Sequence, residues 1–166
     1  HVLRRRQRQM CIRDSYKIED GSECWNLPTE ESFTISNSKY SLIILNDMVL
    51  FSNSIGDITA VDVDSGLIIW QLPTQSISIL NETYDFKTSK LVSDGNSIFF
   101  SNNKNEFYSI DIKTGTTNWI SEINSNITPV ITGNFIFTVS NEGYLHVIEK
   151  NKGCLLYTSD AADDEE

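Results

Sequence analysis

The sequence predicts an all-β chain of consecutive four-stranded antiparallel sheets, and three observations carry that expectation. A 22-residue unit recurs without gaps at Leu45–Gly66, Asp94–Gly115 and Thr132–Gly153. A tryptophan stands four residues after the anchoring glycine in the pairs Gly21/Trp25, Gly66/Trp70 and Gly115/Trp119. The segments between are short period-two runs of Ile, Val, Phe, Thr and Tyr with no long 3.6-residue periodicity, which excludes helical repeats. Anchoring glycines at 21, 66, 115 and 153 give periods of 45, 49 and 38 residues, longer than a turn of a parallel solenoid.

Each unit reads as four strands. The first (Ser41–Leu45, Lys90–Ser93, Pro129–Thr132) ends at a two-residue turn, Asn46-Asp47, Gly95-Asn96 or Gly133-Asn134, whose residue types suit a type I′ hairpin. The second (Met48–Ser52, Ser97–Ser101, Phe135–Val139) leads to a turn closed by Gly56, Asn105 or Gly143. Glycine, and next asparagine, are the residues that enter the left-handed region at low cost. The third (Asp57–Val63, Glu106–Ile112, Tyr144–Ile148) is the most regular, with small Ala60 and Ser109 in equivalent places that let another sheet approach. A fourth strand runs from the turn glycine (Gly66, Gly115 or Gly153) towards the tryptophan, and at the last unit Tyr157 stands where tryptophan is expected.

Two residue types have mechanical roles in this pattern. Asp62 and Asp111 precede the turn glycine by four residues, where a carboxylate accepts backbone N–H groups of the Asp-Ser-Gly or Lys-Thr-Gly turn. They recur with the repeat instead of converging on one cleft, which argues for a structural carboxylate over an acid or base. Burying one indole removes up to about 200 Å² from water, roughly 4–5 kcal/mol as an upper bound. Trp25, Trp70 and Trp119 are therefore expected as wedges between adjacent sheets, in preference to platforms for a sugar or cofactor. A four-stranded sheet cannot cover both of its apolar faces, and radial stacking on its neighbours does so. The expectation is a partial β-propeller, an arc of about three blades from a seven- or eight-bladed ring: an incomplete blade at 15–39, blades at 40–72 and 89–121, and an incomplete blade at 128–153.

The stretches Gly56-Asp-Ile-Thr-Ala-Val-Asp62-Val-Asp-Ser-Gly66-Leu-Ile-Ile-Trp70 and Asn105-Glu-Phe-Tyr-Ser-Ile-Asp111-Ile-Lys-Thr-Gly115-Thr-Thr-Asn-Trp119 resemble the PQQ-like (quinoprotein-type) propeller repeat, G-x-L-Y-A-L-D-x-x-T-G-x-x-x-W. The third copy departs from it, with Glu149 for aspartate and Lys150-Asn151-Lys152 in the turn. The family includes dehydrogenases that hold PQQ and calcium with a Glu, an Asn and an Asp, often beside adjacent cysteines. It also includes cofactor-free scaffolds, lipoproteins of outer-membrane β-barrel assembly. Residues 15–153 contain no arginine, no adjacent cysteines and no acidic cluster matching those ligands. The resemblance therefore implies a non-enzymatic scaffold without cofactor, catalytic or metal residues, whose partners are proteins of the cell envelope. That places it in the periplasm, held at the outer membrane by a lipid anchor outside this sequence. A PQQ- and calcium-dependent dehydrogenase and a ligand-sensing propeller are the alternatives.

The ends use a different vocabulary. All five arginines lie at Arg4, Arg5, Arg6, Arg8 and Arg13, and every lysine lies between Lys17 and Lys152. Arg5–Ser15 resembles the translation of a transposon-end sequencing adapter, and Cys154–Asp163 resembles that of its reverse complement. Residues 1–14 and 154–166 are accordingly expected to be adapter-like and disordered. Between them, eight lysines against seventeen acidic side chains leave a formal charge of −9, which disfavours nucleic acid as a partner. Single Cys24 and His146 exclude a disulfide framework or Cys/His zinc site within that stretch, and Cys24 reads as a small buried apolar residue. No apolar run is long enough to span a bilayer. The longest connector, Pro73–Ser89 with Tyr84 and Phe86, and its counterpart Pro28–Lys39 are the candidate partner-presenting loops. Asn-x-Thr triplets at Asn81 and Asn126 read as chance in an asparagine-rich chain.

Overall fold

The computed structural model describes residues 12–28, 41–53, 56–74 and 88–160. These form an arc of antiparallel sheets. A two-stranded sheet, β1 (Ile12–Tyr16) and β2 (Glu23–Pro28), comes first. Three four-stranded sheets follow: β3 (Leu42–Leu45), β4 (Met48–Ser52), β5 (Ile58–Asp62) and β6 (Ile68–Leu72); β7 (Val92–Ser93), β8 (Ser97–Asn102), β9 (Glu106–Asp111) and β10 (Thr117–Ser121); β11 (Val130–Thr132), β12 (Phe135–Val139), β13 (Tyr144–Glu149) and β14 (Leu155–Asp160). Every strand pairs with its neighbour in sequence, so each sheet is a meander. The first strands of successive sheets converge, β7 approaching β11, as in a partial β-propeller.

Alternation along the strands decides which residues face which neighbour. Leu50, Ile58 and Ala60 of one sheet pack against Ile98, Phe100, Tyr108 and Ile110 of the next. The odd positions of that sheet, Phe99 and Phe107, face onward to Ile136 and Ile148. Trp25 and Leu27 cover Val49, Phe51 and Val61 in the same way. The sheets are thus buried on both faces wherever they are flanked. Position 42 shows what flanking does: Leu42 is 54% exposed beside the two-stranded sheet, whereas its repeat equivalent Leu91, beside a complete sheet, is 4% exposed.

Three expectations are corrected. Residues 12–14 and 155–160, expected to be disordered, stand in β1 and β14. The physical reason is the open edges of β2 and β13, whose unpaired backbone groups bind an adjoining segment able to extend: residues 12–14 pair with β2, and Leu155–Asp160, which contains neither glycine nor proline, pairs with β13. The last sheet is therefore complete in strand number, with Tyr157 opposite Val147 in the register where Trp70 faces Ala60 and Trp119 faces Ser109. The first-to-second strand turns carry one left-handed residue, not two: Asn46 (φ 50°), Gly95 (φ 96°) and Gly133 (φ 58°), with Asp47, Asn96 and Asn134 at negative φ. That is the pattern of a type II′ turn rather than type I′. Cys24 is exposed. Alternation puts it on the face of β2 opposite Trp25, where no sheet lies among the described residues.

The segment 75–87, including Asn81, Tyr84 and Phe86, and the connector residues 29–39 lie outside the described residues; Asn126 is exposed.

The inner face of β13 carries a polar exception. His146, opposite Thr138, has a buried Nδ1 with no hydrogen-bond partner, and burial pushes its pKa below the ordinary 6.5, partly opposed by Glu142. A histidine with a lowered folded pKa favours the fold while neutral, so its contribution is present above the unfolded value and is lost as the pH falls through it. Urea denaturation at a series of pH values is expected to show stability beginning to decline as the pH drops below about 6.5, with this slope absent in His146→Gln.

Candidate functional site

The residues singled out by the repeat assemble at the joints between sheets. In each joint the indole N–H donates to a backbone carbonyl of the next sheet: Trp25 Nε1 to Val63 O at 2.9 Å, Trp70 Nε1 to Ile112 O at 2.8 Å, Trp119 Nε1 to Lys150 O at 2.9 Å. Each acceptor stands three residues before the turn glycine, and the ring lies flat on that glycine. A Cβ on Gly66 would meet Trp25 at 2.6 Å, one on Gly115 would meet Trp70 at 2.5 Å, and one on Gly153 would meet Trp119 at 2.5 Å. These glycines also hold φ near +70°, so both backbone conformation and contact demand the absence of a side chain. Gly21 has the same φ with nothing within 4 Å, since no preceding tryptophan rests on it.

The turn under each of the three rings, together with the uncovered turn at Gly21, is one backbone structure made four times. Gly21, Gly66, Gly115 and Gly153 donate to the carbonyls of Lys17, Asp62, Asp111 and Glu149, at 2.8–2.9 Å. Those four residues in turn donate to the carbonyls of Ser22, Leu67, Thr116 and Cys154. Asp62 Oδ1 accepts from the N–H and hydroxyl of Ser65, at 2.8 and 2.6 Å. Asp111 Oδ1 accepts from the N–H groups of Lys113 and Thr114 and the Thr114 hydroxyl, at 2.9–3.0 Å. The Ser65 hydroxyl, with its N–H, holds the Asp62 carboxyl below the ordinary 3.8; the Thr114 N–H, with its hydroxyl, does so for Asp111. At the fourth turn Glu149 retains the backbone bonds without an aspartate.

Elsewhere the repeat residues serve strand connections. Gly56 (φ 91°), Asn105 (φ 67°) and Gly143 (φ 96°) occupy the left-handed region between second and third strands. The second residues of the first hairpins, Asp47, Asn96 and Asn134, accept through their carbonyls from Val63, Ile112 and Lys150, tying the two turns of each sheet together. Sequence reading did not identify Val63, Ile112 and Lys150 as the partners of tryptophan. They act through backbone carbonyls, and no side-chain type marks them. It also passed over Ser15, which faces Trp25 as Ala60 and Ser109 face Trp70 and Trp119.

The joint residues engage one another and their own turns. Asp62 and Asp111 lie in separate turns, each engaged with its own backbone, and do not meet. Among the described residues no three His, Cys, Asp or Glu side chains are grouped to hold a metal ion.

A chain of four-stranded sheets joined by tryptophan on glycine defines the PQQ-like class of β-propeller. Within that class, this chain belongs to the family described as outer membrane protein assembly factor BamB, which it matches over residues 4–156. It is 26% identical to the outer membrane protein assembly factor BamB of Shewanella oneidensis over 117 residues, 69% of this chain and 27% of that protein. The crystal structure of BamB from Moraxella catarrhalis superposes with a TM-score of 0.73 at 16% identity, over 91% of this chain and 46% of that one. A quinohemoprotein alcohol dehydrogenase from Pseudomonas putida shares the fold with a TM-score of 0.54 at 14% identity, over 70% of this chain and 19% of that one. The chain therefore spans about a quarter of the curated relative and under half of the solved BamB.

Substitutions at one joint separate its components. Trp70→Ala is expected to cost about 3–5 kcal/mol in urea denaturation, and Trp70→Phe, which keeps most of the ring but loses the bond to Ile112, about 1–2 kcal/mol. Gly115→Ala, meeting both the φ penalty and the Trp70 ring, is expected to cost about 2–4 kcal/mol. Gly95→Ala, with open space around it, is expected to cost only the φ penalty of about 1–2 kcal/mol. For the turn carboxylates, a folded pKa below 3.8 means stability that is present above that value and lost as the pH falls through the folded one. Asp62→Asn and Asp111→Asn should each flatten the acid limb of a pH–stability curve below about pH 4.

Proposed function

We propose that the chain is part of a non-enzymatic β-propeller scaffold that binds proteins of the cell envelope during outer-membrane β-barrel assembly. The family match over residues 4–156 is the observation that carries this reading. The geometry supports it: the tryptophans, glycines and aspartates of the repeat hold sheets together, which leaves loops at the two ends of each sheet and short strand edges for partners. The formal charge of −10 and its acidic interior stretch favour protein over nucleic-acid partners. On this reading the complete protein resides in the periplasm at the outer membrane, uses no cofactor, and acts by presenting surface.

The test uses the complete protein that contains this chain. Deleting its gene is expected to lower the level of folded β-barrel proteins in the outer membrane, and the tagged protein is expected to co-purify with the barrel-assembly complex. Stoichiometric uptake of PQQ with calcium, accompanied by oxidation of an alcohol or sugar, would instead assign it to the quinoprotein dehydrogenases.

A further inference from the structure

The joint between the β7–β10 and β11–β14 sheets differs from the one before it in a way that the shared backbone does not require. Aligned by the repeat, Leu45, Met48, Ala60 and Ile112 of the preceding joint are replaced here by Asp94, Ser97, Ser109 and Lys150. In the preceding joint those four are part of a filled apolar cluster. In this one the space is an open cleft of about 410 Å³, within the range of about 300–1,000 Å³ typical of small-molecule sites. Asn118 and Asn151 complete its polar walls, and Phe99 and Trp119 provide its apolar part.

We propose that this cleft binds a neutral, hydroxyl-rich small molecule of sugar size. Charge argues for neutrality. Lys150 Nζ lies 2.9 Å from Asp94 Oδ2, joining the two sheets, and the two charges cancel. An anion would also meet the field of a chain of net charge −10. Hydrogen-bonding chemistry argues for hydroxyls. Asp94 Oδ1 is occupied by the N–H groups of Asn96 and Ser97 at 3.0 and 2.8 Å, so Oδ2 is the acceptor that faces Lys150. Asn118 Nδ2 donates weakly, at 3.2 Å, to both Ser97 Oγ and Ser109 Oγ. Carboxylate, ammonium, amide and the Ser97 hydroxyl thus alternate acceptors and donors, and a ligand group that both donates and accepts fits any of them. The two carboxylate and ammonium side chains are only 16% and 18% exposed, so bonds made to them are partly shielded from water.

The same geometry excludes stacking on the tryptophan face. Phe107 lies against Trp119 at a centroid distance of 5.9 Å and 13° between planes, and Gly153 also abuts the ring. The indole edge is left to meet the C–H surface of the ligand. This assignment rests on the cleft and is independent of the scaffold reading, since a scaffold with or without a ligand has the same joints.

The three indole N–H groups report one joint each, so two-dimensional ¹H–¹⁵N NMR of the 166-residue chain tests the proposal directly. Glucose, cellobiose and N-acetylglucosamine are titrated separately, with sodium glutamate as the charged probe. The expected result is a saturable shift of the Trp119 indole and Asn118 amide signals with at least one sugar, with Trp25 and Trp70 unmoved. Asn118→Ala is expected to weaken that binding about tenfold or more. Ser97→Met, which restores the residue of the preceding joint, should abolish binding while leaving the Trp119 indole signal dispersed as in a folded joint. No shift with any sugar, equal shifts at Trp70, binding unchanged in Ser97→Met, or saturation by glutamate alone would overturn it.

Discussion

The structure depends on a single contact: an indole laid on a glycine, with its N–H aimed at a carbonyl three residues earlier in the neighbouring sheet. Hydrophobic burial alone would bring sheets together at any rotation, because the effect has no direction. The hydrogen bond from Trp25, Trp70 or Trp119 adds direction, and the missing Cβ of Gly66, Gly115 or Gly153 sets the distance. Around that joint the apolar faces fill in with quite different residues, from Val49 and Phe51 to Phe99 and Phe107.

The four turns show why this contact tolerates sequence change. Lys17, Asp62, Asp111 and Glu149 stand in the same place and donate and accept the same backbone bonds. The aspartate reinforces a turn whose shape is already set by a left-handed glycine. Replacing it alters acid stability more than architecture. The indole bond itself is likewise indifferent to side-chain type at Val63, Ile112 and Lys150, since it uses only their carbonyls, although those side chains still shape the packing around it.

Much of this was legible in the sequence. Spacing of glycine to tryptophan located every joint, and period-two runs placed the strands within a residue or two, because both signals are local. What could not be read was relational. Nothing within one unit says that Trp70 rests on Gly115 and not on Gly66; the partner is 45 residues away in the next sheet. The exposure of Cys24 depends on which face of β2 has a neighbour, and the ordering of residues 155–160 depends on an edge strand that composition does not reveal. The polar cleft was hidden for the opposite reason: Asp94, Ser97 and Lys150 appear in an alignment only as substitutions on a conserved frame, and their proximity emerges once two sheets are set side by side.

Because recognition between leaves is delegated to main-chain atoms and one absent methyl, the remaining surface of each leaf is free to drift without loosening its neighbours. Ancestral duplication could then supply interchangeable parts, each seam open to its own specialisation. The contrast between an oily seam and a wet one, a single leaf apart in this chain, is that freedom at work.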